Sequence, residues 1–189
     1  MILLENEIYH IYNQGNNKQQ LFYQERNYDY FLRLTNKFIA PYCDILSYCL
    51  MPNHFHFMIY SNSESITKIK QGGNETTQLS NGFRKLQVSF ALAINKQENR
   101  TGSLFRQHAK AKLIDNEQHA LTCFHYIHQN PIKANLAANI ADWKFSSYNE
   151  YVNKNGICNF NKASQVLVVN FDNFIEESKM IIHKDGFFK

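Results

Sequence analysis

Tyr48-Cys-Leu-Met-Pro-Asn-His-Phe-His-Phe-Met-Ile-Tyr60 is the stretch that decides how the chain is read. Residues 42–50 and 54–60 are both rich in strand formers, and Met51-Pro52-Asn53 separates them. On a strand, alternate side chains leave opposite faces. His54 and His56 therefore share one face, and Phe55, Phe57 and Ile59 share the other, directed into a core.

Working outward, residues 8–14 alternate as a strand that ends in the turn residues Gly15-Asn-Asn-Lys18. Between Asn27 and Ala40, apolar residues at Tyr28, Phe31, Leu32, Leu34, Phe38 and Ile39 predict a helix that Pro41 stops. Residues 61–77 read as a polar surface loop with a short helical turn. Leu79, Phe83, Leu86, Phe90 and Ile94 predict a helix over 78–95. Residues 103–114 read as a strand, and 116–130 as a helix with Asp115 as N-cap and Pro131 as terminator. Shorter pieces follow at 146–152, 166–169 and 172–183. The order β-α-β-β-α-β predicts an α+β fold of the ferredoxin-like, split-βαβ kind. Its four-stranded antiparallel sheet carries helices on one face, and a tyrosine-bearing helix and a short helical tail are added. Residues 1–150 are expected to form the functional domain, and 151–189 its C-terminal extension.

The chain has 189 residues, enough to bury a core without disulfide or metal staples. Low Gly and Pro content excludes collagen-like and low-complexity chains. The start meets acids by Glu5, and no apolar run is long enough to span a membrane. Cys43, Cys49, Cys123 and Cys158 show no metal-type spacing and read as reduced thiols, so a cytoplasmic location is expected. The net charge of +4 permits nucleic-acid binding without requiring it. Its distribution says more: residues 84–112 hold seven basic residues against the single acid Glu98. Of these, Arg84, Lys85, Arg100, Arg106, Lys110 and Lys112 are candidate DNA contacts. Lys110 and Lys112 would share a strand face, and Tyr9, Tyr12 or Phe105 could stack on unpaired bases.

Two imidazoles two residues apart on a strand can reach one divalent cation whose third ligand lies elsewhere, or they can simply face solvent. On the predicted helix, Tyr126 and Asn130 stand one turn apart. A Tyr hydroxyl is a poor nucleophile at neutral pH, with an ordinary pKa of ~10. A metal that polarises a phosphodiester would help it, and the Asn130 oxygen could complete the metal site. Equally, Tyr126 could be a packing residue and Asn130 a helix-end residue.

Four strings in order resemble the single-tyrosine HUH transposases, above all the REP-associated tyrosine transposases. They are Tyr9-His-Ile-Tyr-Asn-Gln-Gly-Asn16, Tyr48-Cys-Leu-Met-Pro-Asn-His-Phe-His56, Arg100-Thr-Gly-Ser-Leu-Phe105 and Tyr126-Ile-His-Gln-Asn-Pro131. Asp142-Trp-Lys-Phe-Ser-Ser-Tyr148 is similar to a downstream signature. The resemblance covers about residues 8–150. It implies that His54 and His56 bind Mg²⁺ or Mn²⁺ with Asn130 as third ligand. It further implies that Tyr126 attacks a phosphodiester of single-stranded or hairpin DNA, leaving a 5′-phosphotyrosine link and a free 3′-hydroxyl. Gln129, adjacent to Asn130, points elsewhere on the helix. His125 and His128 are expected to be bystanders, and His10 could approach the site. Monomers and homodimers both fit the resemblance. The alternative is a domesticated, non-catalytic DNA- or RNA-binding protein. A replication initiator of the same chemistry is less consistent, because no helicase or relaxase body is attached.

Overall fold

The computed structural model describes residues 1–179. In chain order its main elements are β1 (Ile8–Gln14), α1 (Glu25–Phe38), β2 (Cys43–Met51), β3 (His54–Ser61), α2 (Ser63–Ile66), β4 (Lys68–Gln71) and β5 (Asn74–Thr77). Then come α3 (Gln78–Gln97), β6 (Lys110–Ile114), α4 (Glu117–Lys133), α5 (Tyr148–Asn153), α6 (Phe160–Val166) and α7 (Phe174–Lys179). Strands β2-β3-β1-β6, in that spatial order, form one antiparallel sheet, which is the ferredoxin-like arrangement.

The alternation along β3 sorts the helices. Its Phe face packs on α1 and α3: Phe31 lies 5.2 Å from Phe55 and 4.9 Å from Phe90 between ring centroids, and Phe57 lies 6.0 Å from Phe83. Its histidine face is covered in part by α4, which packs on β2 and β3. The chain after α4 then closes the open edge of β2. Leu50 N donates to Phe145 O at 2.9 Å, Ser147 N donates to Tyr48 O at 2.9 Å, and the Trp143 indole donates to Leu50 O at 3.0 Å. Phe174 of α7 packs on Phe124 and His128, so α4 is held between the sheet and the tail.

Several boundaries differ from the sequence reading. Residues 68–77 form a β-hairpin rather than a loop, because Gly72 and Gly73 both adopt positive φ and make the tight turn that two short strands need. Only residues 110–114 of the expected 103–114 strand pair in the sheet, apart from an isolated bridge between Gly15 and Phe105. Asn116, not Asp115, caps α4, accepting from His119 N at 2.8 Å, while Asp115 pairs with the His119 ring. Pro131 sits inside α4, which runs on to Lys133. It is tolerated because the Asn130 amide donates to Tyr126 O and Ile127 O, and Ile127 O is the carbonyl that the proline cannot serve. The helix over 160–166 was not foreseen, and the part of the 172–183 helix beyond Lys179 lies outside the described residues. Among the described residues all four cysteines are free and buried, and no helix is long and apolar enough to cross a membrane.

Gly15 is the junction of the fold. Its N–H donates to Asn53 O at 2.8 Å, and the adjacent Asn16 N–H donates to Leu104 O at 2.9 Å. A Cβ on Gly15 would lie 2.1 Å from Gln19 O, a backbone atom that cannot swing away. Gly15→Ala is therefore expected to destabilise the protein by about 1–3 kcal/mol in urea unfolding. An unchanged midpoint would contradict the close approach.

Buried histidines set a second expectation. His128 is fully buried, and its Nε2 lies 2.7 Å from Ser147 Oγ. Burial, with a smaller contribution from His125, depresses its pKa to about 3. Burial and Lys112 do the same for His10, also to about 3. Between the ordinary value of about 6.5 and these depressed values, the unfolded chain binds protons that the folded chain does not. Stability is thus predicted to fall as pH drops from about 6.5 toward 3, by about 1.4 kcal/mol per pH unit for each such histidine. Urea unfolding of the protein and of His128→Gln at pH 7.5, 5.5 and 4.5 checks this. The variant should show the shallower dependence, and equal slopes would mean that His128 is already protonated in the fold.

Candidate active site

His54 and His56 lie side by side on β3, opposite Gln14 and Tyr12 of β1 and Met51 and Cys49 of β2. Their rings are 4.9 Å apart and nearly perpendicular. Each is oriented by a neighbour. His54 Nδ1 lies 2.6 Å from Asn53 Oδ1. Asn53 donates its own amide to Lys18 O, so its oxygen must accept and His54 Nδ1 must carry the proton. His56 Nδ1 lies 2.8 Å from His10 Nε2. With a proton on His56 Nδ1, His10 Nε2 is the acceptor, and the lone pairs of both β3 histidines rest on Nε2. Both rings stay neutral at pH 7. Burial lowers the pKa of His54 to about 4, and burial reinforced by His10 and His54 holds His56 well below the ordinary imidazole value.

Helix α4 brings Tyr126 to the same face, its ring 6.1 Å from His56 in an edge-to-face arrangement. A cleft of about 210 Å³ is lined by His54, His56, Tyr126, Tyr12, Arg106 and Lys110, among others. Tyr126 is 9% exposed. Burial, aided by Cys123, raises the phenol above its ordinary pKa, and a side-chain hydrogen bond from Asn130 pulls the other way. The Lys133 ammonium stands 4.7 Å from the centre of the Tyr126 ring. Asn130 does not line the cleft; it stands one turn along α4, its amide donating to the backbone carbonyls of Tyr126 and Ile127.

The other sequence candidates divide. Arg106 and Lys110 are in the cleft wall, and Lys112 follows on the same sheet face, opposite His10. Arg84 lines a neighbouring groove and is hydrogen bonded to Gln71 and Asn81. Arg100 donates to Gln19 at 2.7 Å, tying the 100–105 segment to the turn after β1. Lys85 is on α3, outside both hollows. Of the stacking candidates only Tyr12 faces the cleft. Tyr9 has the opposite strand parity, and Phe105 is buried against Phe55 and Phe90, so both belong to the core. His125 and His128 turn away from the cleft toward Ser178 and Ser147, and the Gln129 amide donates to Ser178 O. His10 does reach the site, beneath His56. The sequence reading missed Asn53 and His108; that Asn53 directly precedes the HFH string was the available signal.

Two imidazole nitrogens facing one cleft suit a divalent cation. Among the described residues no three His, Cys, Asp or Glu side chains group to hold a metal, so any further donor must be of another type. An amide oxygen such as that of Asn130 is one.

No family model and no curated protein sequence matches the chain. Among solved structures, a bacterial tRNA(His) guanylyltransferase-like protein in complex with GTP is 10% identical, covering 74% of this chain and 73% of that one, at a TM-score of 0.45. A REP-associated tyrosine transposase bound to a REP hairpin is 14% identical, covering 85% of this chain and 92% of that one, at a TM-score of 0.60. The chain therefore has the fold of a REP-associated tyrosine transposase, the family that its sequence motifs resemble.

Proposed function

We propose that the protein is a metal-dependent single-stranded DNA transposase acting near a DNA hairpin. The observation that carries this is the single cleft in which two neutral histidines, both with Nδ1 engaged, face Tyr126. The hairpin bound by the solved transposase supports a DNA hairpin as the ligand. His54 and His56, with Asn130, would hold Mg²⁺ or Mn²⁺, and the ion would supply charge stabilisation at a phosphate oxygen.

Tyr126 Oη would attack the phosphorus of a phosphodiester. The bond to the 3′ oxygen breaks, the phenolic proton ends on that oxygen, and the 5′-phosphotyrosine link retains the bond for rejoining. Arg106 and Lys110 in the cleft wall would hold the strand's phosphates. Arg84, Lys85, Arg100 and Lys112 are assigned as more peripheral DNA contacts. His54, His56 and Tyr126 line one cleft within one chain, so this reading needs no second copy. Residues 1–150 would carry the chemistry, with 151–189 as an extension, of which α7 packs on α4.

With Mn²⁺ and hairpin oligonucleotides from the DNA flanking its gene, the protein is expected to form a covalent adduct that survives denaturing electrophoresis. Tyr126→Phe should abolish the adduct and keep DNA binding, and His54→Ala or EDTA should reduce it to background. No adduct with any such hairpin, with binding unaffected by His54→Ala and EDTA, would instead indicate the non-catalytic binder.

The His10–His56 bond gives a separate expectation. His10→Leu should weaken Mn²⁺ binding, measured by calorimetry, by about 10- to 100-fold, and His10→Gln, which keeps an acceptor, should recover most of it. Equal affinity for all three proteins would mean that His10 only fills space.

A further inference from the structure

Breaking a phosphodiester frees an alkoxide, a leaving group that needs a proton as its bond opens. Tyr126 is badly placed to hand over its own. In-line displacement sets the attacking and leaving oxygens on opposite sides of the phosphorus. A proton donor for the leaving oxygen therefore belongs across the cleft from Tyr126.

The cleft holds a second phenol in that place. Tyr12 stands in a row across the sheet, paired with His56 of β3 on one side and with Lys110 of β6 on the other. Helix α4 packs on β2 and β3, so Tyr126 reaches His56 over β2, whereas Tyr12 rises from β1. Each phenol ring lies 6.1 Å from the His56 ring. The Tyr12 ring is held by stacking on His10, 4.8 Å away and 24° from parallel. Tyr12 is half-buried in the cleft wall, and among the described residues its hydroxyl has no hydrogen-bond partner. The other lining groups serve less well. The Nδ1 positions of His54 and His56 are engaged, and a guanidinium such as that of Arg106 keeps its protons. Lys110 is one strand farther from His56 than Tyr12, and His108 lies outside the sheet, before β6 begins.

We propose that Tyr12 is a second catalytic tyrosine, the general acid that protonates the leaving 3′ oxygen while Tyr126 attacks from the other side of the phosphate. The inference rests on the proposed function and assigns the proton transfer that function leaves open. The bond from Tyr126 Oη to phosphorus forms, the bond from phosphorus to the 3′ oxygen breaks, and its electron pair takes the proton of Tyr12 Oη. The Tyr12 phenolate, next to the Lys110 ammonium, recovers a proton from water, and the proton of Tyr126 passes to water. The net change is one proton moved from Tyr126 to the 3′ oxygen. In rejoining, the Tyr12 phenolate is the base that takes the proton of the attacking 3′-hydroxyl. A second phenol on the leaving-group side thus serves both directions of a strand transfer.

The test changes the leaving group. The full chain is given Mn²⁺ and a hairpin oligonucleotide with single-stranded flanks, cut at a site mapped with the unaltered protein. A second oligonucleotide carries sulfur in place of the bridging 3′ oxygen at that site, and a thiolate departs without being protonated. Tyr12→Phe should slow adduct formation on the oxygen substrate by about 10²- to 10⁴-fold. On the sulfur substrate it should run at nearly the rate of the unaltered protein. Arg106→Ala, which removes a phosphate contact, should be slowed equally on both. Mn²⁺ affinity by calorimetry should be the same for Tyr12→Phe and the unaltered protein. The proposal is overturned if Tyr12→Phe is as fast as the unaltered protein on the oxygen substrate, or is slowed equally on both substrates. A loss of Mn²⁺ affinity in Tyr12→Phe would make Tyr12 a support for His10 and overturn it as well. An adduct from the unaltered protein with any of these results sinks the role of Tyr12 alone. No adduct from the unaltered protein on either substrate sinks the catalytic reading, and this role with it.

Discussion

Strand β3 has to face two ways at once, and the architecture follows from that constraint. Phe55, Phe57 and Ile59 need a dry surface, which α1 and α3 supply through Phe31, Phe83 and Phe90. The alternation that drives these aromatics inward places His54 and His56 on the other face at no further cost in design. The site is thus registered to the core. A one-residue slip of β3 would exchange the two sets and destroy both. His54, His56 and Tyr126 need no loop to position them, since a central strand and a long helix hold them.

Orientation is a second matter, and it comes from segments far apart in the chain. His56 is set by His10 on the adjacent strand, and His54 by Asn53 in the β2–β3 turn. That turn is gripped by Gly15, Leu21 and Phe22, whose N–H groups donate to Asn53 O and Pro52 O. The 100–105 segment closes against the same junction through Asn16 and Arg100. The four sequence strings that resemble one family therefore meet at one place. Two line the cleft, the 100–105 string braces their junction, and the fourth brings the tyrosine.

The fold was legible because its signals are periodic. Helices α1 and α3 and strand β3 bury the faces that their spacing predicts, and the strand order matches the β-α-β-β-α-β pattern. What was not legible depends on partners rather than period. Nothing local marks Pro131 as tolerable inside α4, because the Asn130 side chain makes it so. Residues 68–77 lack the hydrophobic alternation of a strand, and their hairpin follows from two glycines at positive φ. The paired histidines and Tyr126 could be picked out by type and spacing. The supporting bond from His10 spans 46 residues, and only the register of β1 against β3 brings it into contact.

The state of Tyr126 bears on how such a site would avoid unproductive chemistry. Burial keeps the phenol protonated, and the hydrogen bond from Asn130 only partly offsets this. With no substrate the side chain is a packing residue, its ring against His56 on one side and beneath the Lys133 ammonium on the other. On the proposed reading, a nucleophile stored in this way gains reactivity only when charge is brought to it. The uncommitted cations at the cleft, Arg106 and Lys110, stand where a phosphate would complete that charge pattern. On the proposed reading, DNA binding and activation of the tyrosine are then one event. The low reactivity of a buried phenol becomes a safeguard that ties cleavage to an occupied cleft.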